Sequence, residues 1–238
     1  MTAADPTHRP HRGLAAAFAL CAVATATLLA NHPGGGGGSF ADSLKAEARN
    51  QLSDAIVHGG FIVTLCVLIV CFVLWSRLLG SARVAVVVGM VAFCVGCGGL
   101  IASMILDGFV SPALAVRFVG TDSPDNLVMA RTLLVFCGTS IRFLMPLGIA
   151  FQSVAMLSWS SVLLTRSGGR GRAVGIFGSV CAVLLIVALL AAPAKLTTHV
   201  LLAGIGVQVV WYLGLAGLLC ASHKRLQDEA LPRTAEGV

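Results

Sequence analysis

Long apolar runs alternate with short polar segments along the whole chain. No Asp, Glu, Lys or Arg lies between Arg12 and Asp42 or between Asp54 and Arg77, and four later stretches repeat this pattern. A helix needs about 20 mostly apolar residues to cross the hydrocarbon core of a bilayer. The pattern therefore predicts an all-α fold, a polytopic transmembrane helical bundle forming a single membrane domain over 1–238. Its six spans are expected at about 14–30, 58–76, 84–106, 143–164, 173–192 and 199–221.

The first span has a second interpretation. Arg9 and Arg12 precede the apolar run, and Ala24-Thr25-Ala26 resembles the small-residue cleavage site of a signal peptide. The run continues through Leu28 and Leu29, which is longer than a typical cleavable segment. We therefore expect a retained helix, and five spans in the same orientation if the first is a cleaved signal peptide.

Composition supports a membrane protein and excludes other classes. Hydrophobic residues make up 57% of the 238 residues and charged residues 11%. Disordered chains need low hydrophobicity, and soluble domains carry about a quarter charged residues. The few charged residues are therefore informative mainly about the orientation of the spans in the membrane.

The Lys and Arg residues predict the orientation, because short cytoplasmic loops are enriched in them. With the N-terminus inside, ten lie inside and six outside. The inner set is Arg9, Arg12, Arg77, Arg83, Arg166, Arg170, Arg172, Lys224, Arg225 and Arg233, and the outer set is Lys45, Arg49, Arg117, Arg131, Arg142 and Lys195. The chain is thus expected in a bacterial-type inner membrane, with cytoplasmic tails at 1–12 and 223–238. The net charge of +6 needs no nucleic acid to explain it.

The outer loop at 31–57 contains a glycine tether and an amphipathic helix. Gly34–Gly38 is flexible, and Ser39 with Asp42 forms a capping-box pattern. Apolar residues then recur every four positions, which predicts an interfacial helix over 40–57 leading into the second span. This helix is either a connector or a lid that docks a partner.

The second outer loop is expected to interrupt the helices. Gly108, Pro112, Gly120 and Pro124 should prevent a long helix between Asp107 and Arg131. Pro146 should kink the fourth span.

Small residues mark the packing face of the third span, at Gly89, Ala92, Gly96, Gly99 and Ser103. Small side chains let helix backbones approach in lipid. The third span should therefore lie centrally in the bundle. Gln152 and Gln208 are buried amides expected to tie helices together.

Candidate chemistry is confined to four residues at one predicted depth. Asp107 ends the third span, His32 follows the first, His58 begins the second and His199 begins the sixth. Imidazoles and a carboxylate at one level can bind a metal, ligate haem or relay protons to a quinone. They can also be ordinary interfacial polar residues, because a shared depth does not establish proximity.

The eight cysteines all lie in apolar runs, so disulfides are not expected. Cys94-x-x-Cys97 places two sulfurs roughly on one helix face, which leaves a soft-metal site as an alternative to buried small hydrophobes. No catalytic or nucleotide-binding motif accompanies them.

Three functions remain open on sequence alone. The first is a non-catalytic membrane component or small-molecule-binding bundle, with a membrane-protein partner or a second copy beside the lipid bilayer. The second is a metal-, haem- or quinone-dependent membrane enzyme that uses His58, Asp107 and His199, with His32, at the outer face. The third is a small transporter.

Overall fold

The computed structural model describes residues 9–33, 38–166, 168–191 and 198–230, without the side chains of 9–11, 166, 198–201 and 222–230. Most of the glycine tether and much of both predicted tails lie outside these residues. The helices are α1 (Arg9–Ala30), α2 (Phe40–Leu79), α3 (Val84–Ile105), α4 (Ser111–Phe118), α5 (Pro124–Arg166), α6 (Gly169–Ala191) and α7 (Thr198–Ala230), and a π-helical turn at Leu106–Val110 joins α3 to α4.

The described residues confirm an all-α bundle. They contain six helical segments long and apolar enough to cross a membrane, and no strand. Large apolar side chains such as Val63, Val91 and Leu184 are more than half exposed on the outside of the bundle. A soluble protein rarely presents such an extended apolar surface, whereas lipid tails solvate it.

The small-residue stripe of α3 forms a packing face, as predicted, and this face lies against α5. Gly89, Ala92, Gly96 and Ser103 are all buried, and α3 packs mainly against α5. A Cβ added to Gly96 would lie 2.8 Å from the carbonyl oxygen of Gly148 in α5. The two backbones are therefore close enough that only glycine fits at this crossing.

Stacked aromatic rings fill the middle of the bundle. The Phe72 ring of α2 lies parallel to Trp159 of α5, with centroids 4.3 Å apart, and Trp211 of α7 stacks beyond them. Phe18 of α1 meets Phe72 edge-on at 5.0 Å. This cluster connects α1, α2, α5 and α7. On α2 it lies fourteen residues beyond His58, so it fills the core at a distance from the end that carries His58.

The predicted helix over 40–57 is continuous with the second span. Its capping box is present, since Ser39 Oγ accepts from the Asp42 amide and Asp42 Oδ2 accepts from the Ser39 amide. Leu44 on its apolar stripe is buried in a small cluster with Ala115 and Phe118 of α4. The first part of the stripe thus packs on the protein, whereas Leu52 and Ile56 further along it are exposed.

The expected interruption at Gly108 and Pro112 is wrong. The helical path continues through the π turn and α4 as far as Phe118, and the chain leaves the helix only over 119–123. A proline ring normally clashes with the carbonyl four residues earlier, which for Pro112 is that of Gly108. The wide π turn contains Gly108, and such local adjustments accommodate proline in membrane helices. Gly120, with φ +79°, does stand at the break, and Pro124 begins α5.

Candidate functional site

Three of the four predicted site residues meet at one end of the bundle, called here the histidine end. His32 follows α1, His58 lies in α2 and Asp107 lies in the π turn. The Nε2 atoms of His32 and His58 are 3.3 Å apart, and His58 Nε2 is 3.1 Å from Asp107 Oδ2. One ligating atom from each side chain lies within 4.8 Å of the other two. The shared depth inferred from the sequence is therefore also spatial proximity.

Hydrogen bonds to the backbone hold both imidazoles in one tautomer. His58 Nδ1 lies 2.8 Å from the carbonyl oxygen of Asp54, and His32 Nδ1 lies 2.9 Å from that of Pro33. A carbonyl oxygen only accepts, so each Nδ1 carries the hydrogen and donates it. Each neutral ring then presents the bare lone pair of Nε2 to the other.

The three side chains differ in exposure, from buried His58 through partly exposed Asp107 to exposed His32. The His58 side chain is 1% exposed and that of Asp107 34%, and His32 is exposed. His58 is thus fixed inside the bundle while His32 closes the site from outside. The rings of the two histidines meet edge to face, with centroids 4.9 Å apart.

The π turn positions Asp107 and makes room for His58. Gly108 is buried, and a Cβ added to it would overlap Cβ and Cγ of His58 and lie 2.7 Å from its Nδ1. Only glycine permits this approach of the π turn to α2. Single π turns within α-helices are frequent at functional sites, because they re-aim side chains.

Two further carboxylates interact electrostatically with residues of this group. Asp54 is buried one helical turn before His58 and interacts electrostatically with His58, Asp107 and His32. Glu47 interacts electrostatically with Asp54, Asp107 and His58. Burial raises the pKa of both carboxyl groups, and a cation at the histidine end would favour their charged forms.

His199 and the cysteines are not part of the described cluster. His199 begins α7, but its side chain lies outside the described residues. Cys94 is exposed whereas Cys97 is buried and accepts a hydrogen bond from Gln152 Nε2 at 3.4 Å. The two neighbouring sulfurs thus differ in exposure, and the group of three possible metal ligands found among the described residues contains neither of them.

A cavity of about 310 Å³ extends from the histidine end into the bundle. His32 and Asp107 line it at one end, and Gln152, Gln208 and Tyr212 line it deeper. The walls between are formed mostly by apolar side chains, including Phe61, Leu65, Leu68, Leu100, Met104 and Met145. The group of His32, His58 and Asp107 thus stands at the mouth of an apolar chamber.

The sequence indicated which side chains could bind a metal, but it did not indicate the backbone features that position them. Gln152 ties α5 to α3 as expected, whereas Gln208 is 5% exposed and its Nε2 finds no hydrogen-bond partner among the described residues. The π turn at Gly108 has no sequence signal of its own except a glycine immediately after an acidic residue. The role of Asp54 could not be predicted from the sequence, because its backbone carbonyl, rather than its side chain, orients His58.

The chain matches no protein-family model, no curated protein and no solved structure. Its function is therefore inferred from the geometry of the site.

Proposed function

We propose that the protein binds one divalent transition-metal ion, with zinc favoured, through His32 Nε2, His58 Nε2 and Asp107. Zinc binds imidazole nitrogen and carboxylate oxygen at about 2.0–2.2 Å in a tetrahedron, so its ligand atoms lie roughly 3.3 Å apart. Two of the three separations, 3.3 and 3.1 Å, agree with that spacing, and the third pair of ligating atoms lies within 4.8 Å. This convergence of three ligating atoms from three segments of the chain is the observation that supports the proposal.

A metal ion suits this group because the three facing atoms are all acceptors when the histidines are neutral. A proton on His58 Nε2 can point at Asp107 or at His32, and it leaves the other contact without a hydrogen. A metal ion satisfies all three atoms at once. The backbone carbonyls that receive each Nδ1–H are the usual outer partners of metal-binding histidines.

The geometry favours a bare ion over haem. Two axial imidazoles of a haem approach the iron from opposite faces of the macrocycle. Here the two Nε2 atoms are only 3.3 Å apart, and the carboxylate lies next to them, so no porphyrin fits between the rings. A quinone binds through hydrogen bonds to its carbonyl oxygens, so it gives no reason for three acceptor atoms to face one point.

Three protein ligands leave a fourth position for water or substrate, which is typical of catalytic zinc sites. Asp107 and His32 both line the cavity, so a molecule in the cavity would reach the ion at that position. This favours a metal-dependent membrane enzyme over a purely structural ion. Zinc supplies a bound water of lowered pKa for hydrolysis, while the chain holds the substrate in the apolar chamber.

The loop charges support an inner-membrane protein with both termini in the cytoplasm. Under that orientation the histidine end faces the outer side of the membrane. The metal would then enter from the outer aqueous phase through exposed His32.

Zinc content and affinity of the protein purified in phospholipid nanodiscs test the proposal. We expect one zinc ion per chain, and a loss of affinity of at least about a hundredfold in His58→Ala and in Asp107→Asn. Asp122→Asn is the matched control, because Asp122 is an exposed loop carboxylate away from the cluster. His199→Ala should leave the zinc affinity unchanged, because the proposed site has three protein ligands and an open fourth position. Zinc binding that survives His58→Ala would contradict the proposal.

A further inference from the structure

The cavity below the proposed metal site is long and narrow. Its lining on α7 runs from Leu202 to Tyr212, ten residues that correspond to about 15 Å along a helix. Its volume of about 310 Å³ over that length gives a mean cross-section of about 20 Å². At roughly 30 Å³ for each water-sized group, the cavity holds about ten such groups. The shape fits one extended, unbranched aliphatic chain.

The cavity is polar at both ends. His32 and Asp107 lie at its mouth, and Gln152, Gln208 and Tyr212 line its inner part. Gln152 lies beside Gly96, which is eleven residues before Asp107 along α3. Gln152 therefore lies about 16 Å from the metal ligands along the bundle.

Gln208 supplies an independent indication of a ligand. The residue is 5% exposed, it lines the cavity, and its Nε2 has no hydrogen-bond partner in the described part of the chain. A buried amide without a partner costs about 1–3 kcal/mol. The Nε2 atom itself is fully buried beside the cavity, so a turn of the amide toward a polar atom of a bound molecule at the inner end would remove that cost.

We propose that the cavity binds an unbranched aliphatic molecule of about ten carbons with an oxygen function at each end. This rests on the proposed metal site, since a carboxylate at one end takes the open position of the ion. The second oxygen, best as a hydroxyl that both donates and accepts, pairs with Gln208 at the inner end. A membrane acyl tail has the same aliphatic body but carries no second oxygen.

Binding of decanoate and 10-hydroxydecanoate to the zinc-loaded protein in nanodiscs tests this inference. We expect 10-hydroxydecanoate to bind about tenfold more tightly, because it adds one hydrogen bond to a buried amide. Gln208→Leu should abolish that preference while leaving zinc affinity unchanged. Equal binding of the two acids to the wild-type protein, as an acyl-tail site would show, overturns the inference.

A blocking substitution separates cavity binding from surface binding. Ile205 lines the cavity, whereas Val210 is 53% exposed on the same helix. Ile205→Trp should abolish binding of both acids, with zinc stoichiometry retained as evidence of folding, and Val210→Trp should bind them normally. Binding that survives Ile205→Trp overturns the inference.

The two proposals fail in different ways. Zinc binding without binding of either acid overturns the cavity inference alone. If zinc does not bind, the proposed function is wrong, and a Gln208-dependent preference for 10-hydroxydecanoate over decanoate in metal-free protein would still support the cavity as the binding site.

Discussion

The imidazole of His58 rests directly against the backbone of Gly108. A Cβ at Gly108 would overlap the Cβ and Cγ atoms of His58, and it would lie 2.7 Å from Nδ1. His58 is simultaneously held by the Asp54 carbonyl at 2.8 Å and by Asp107 at 3.1 Å. These contacts together fix the orientation of the His58 ring, and the π turn contributes the contacts from Gly108 and Asp107.

Replacing Gly108 with alanine should damage the metal site without removing a ligand. The added methyl group must displace His58 from Asp107, so we expect zinc affinity to fall by about 10–100-fold, as for loss of an outer support. Isothermal titration with zinc in nanodiscs measures the effect. Gly98→Ala is the control, because a Cβ at Gly98 meets nothing within 4 Å. Equal zinc affinity in the two variants would show that the contact with Gly108 does not position His58.

The carboxylate of Asp54 should strengthen cation binding through its field. It is buried near the three ligating side chains and interacts electrostatically with all of them. Asp54→Asn keeps the backbone carbonyl that orients His58 and removes one negative charge. Zinc affinity should then fall by roughly three- to tenfold, with little change in Asp125→Asn, an exposed carboxylate at the start of α5. An unchanged affinity in Asp54→Asn would argue against a field effect.

Gly96 should be indispensable for the contact between α3 and α5. Valine at this position would press on the Gly148 carbonyl and on Gln152, because atoms of both residues lie within 3.0 Å of where its Cβ would stand. Overpacking of this kind costs about 1–3 kcal/mol, so Gly96→Val should lower the thermal unfolding temperature in detergent. Gly98→Val, on the same helix with open space around it, should unfold close to the wild type. Similar unfolding temperatures for both would mean that α3 and α5 are not tightly packed.

The predicted orientation can be read with topology reporters. A periplasm-active enzyme fused after Val238 should be inactive, because the C-terminal tail is expected inside. The same enzyme inserted within Gly34–Gly38 should be active, because that tether is expected outside. The reverse pattern would place the histidine end on the cytoplasmic side.

The spans and the ligating atoms were accessible from the sequence for a simple physical reason. Lipid contact demands apolar side chains over the whole length of a span, so the helices stand out as uninterrupted apolar runs. Polar residues that survive at the ends of such runs, such as His58 and Asp107, are correspondingly conspicuous.

The proximity of those residues depends on packing that no periodic pattern encodes. The helix passes through Gly108 and Pro112 because a π turn absorbs the proline, and this same turn brings Asp107 to His58. The unpaired amide of Gln208 is likewise visible only once α7 is packed against its neighbours. Sequence reasoning therefore predicted the depth of the site, while the fold determines which side chains meet there.

The most direct test of the central claim is the zinc K-edge X-ray absorption spectrum of the one-to-one zinc complex in nanodiscs. The fine structure counts imidazole rings through their outer-shell scattering. We predict two imidazoles and a first shell of nitrogen and oxygen at about 2.0–2.2 Å, with one imidazole remaining in His32→Ala. A first shell containing sulfur, or a spectrum without imidazole scattering, would contradict a metal site made of His32, His58 and Asp107.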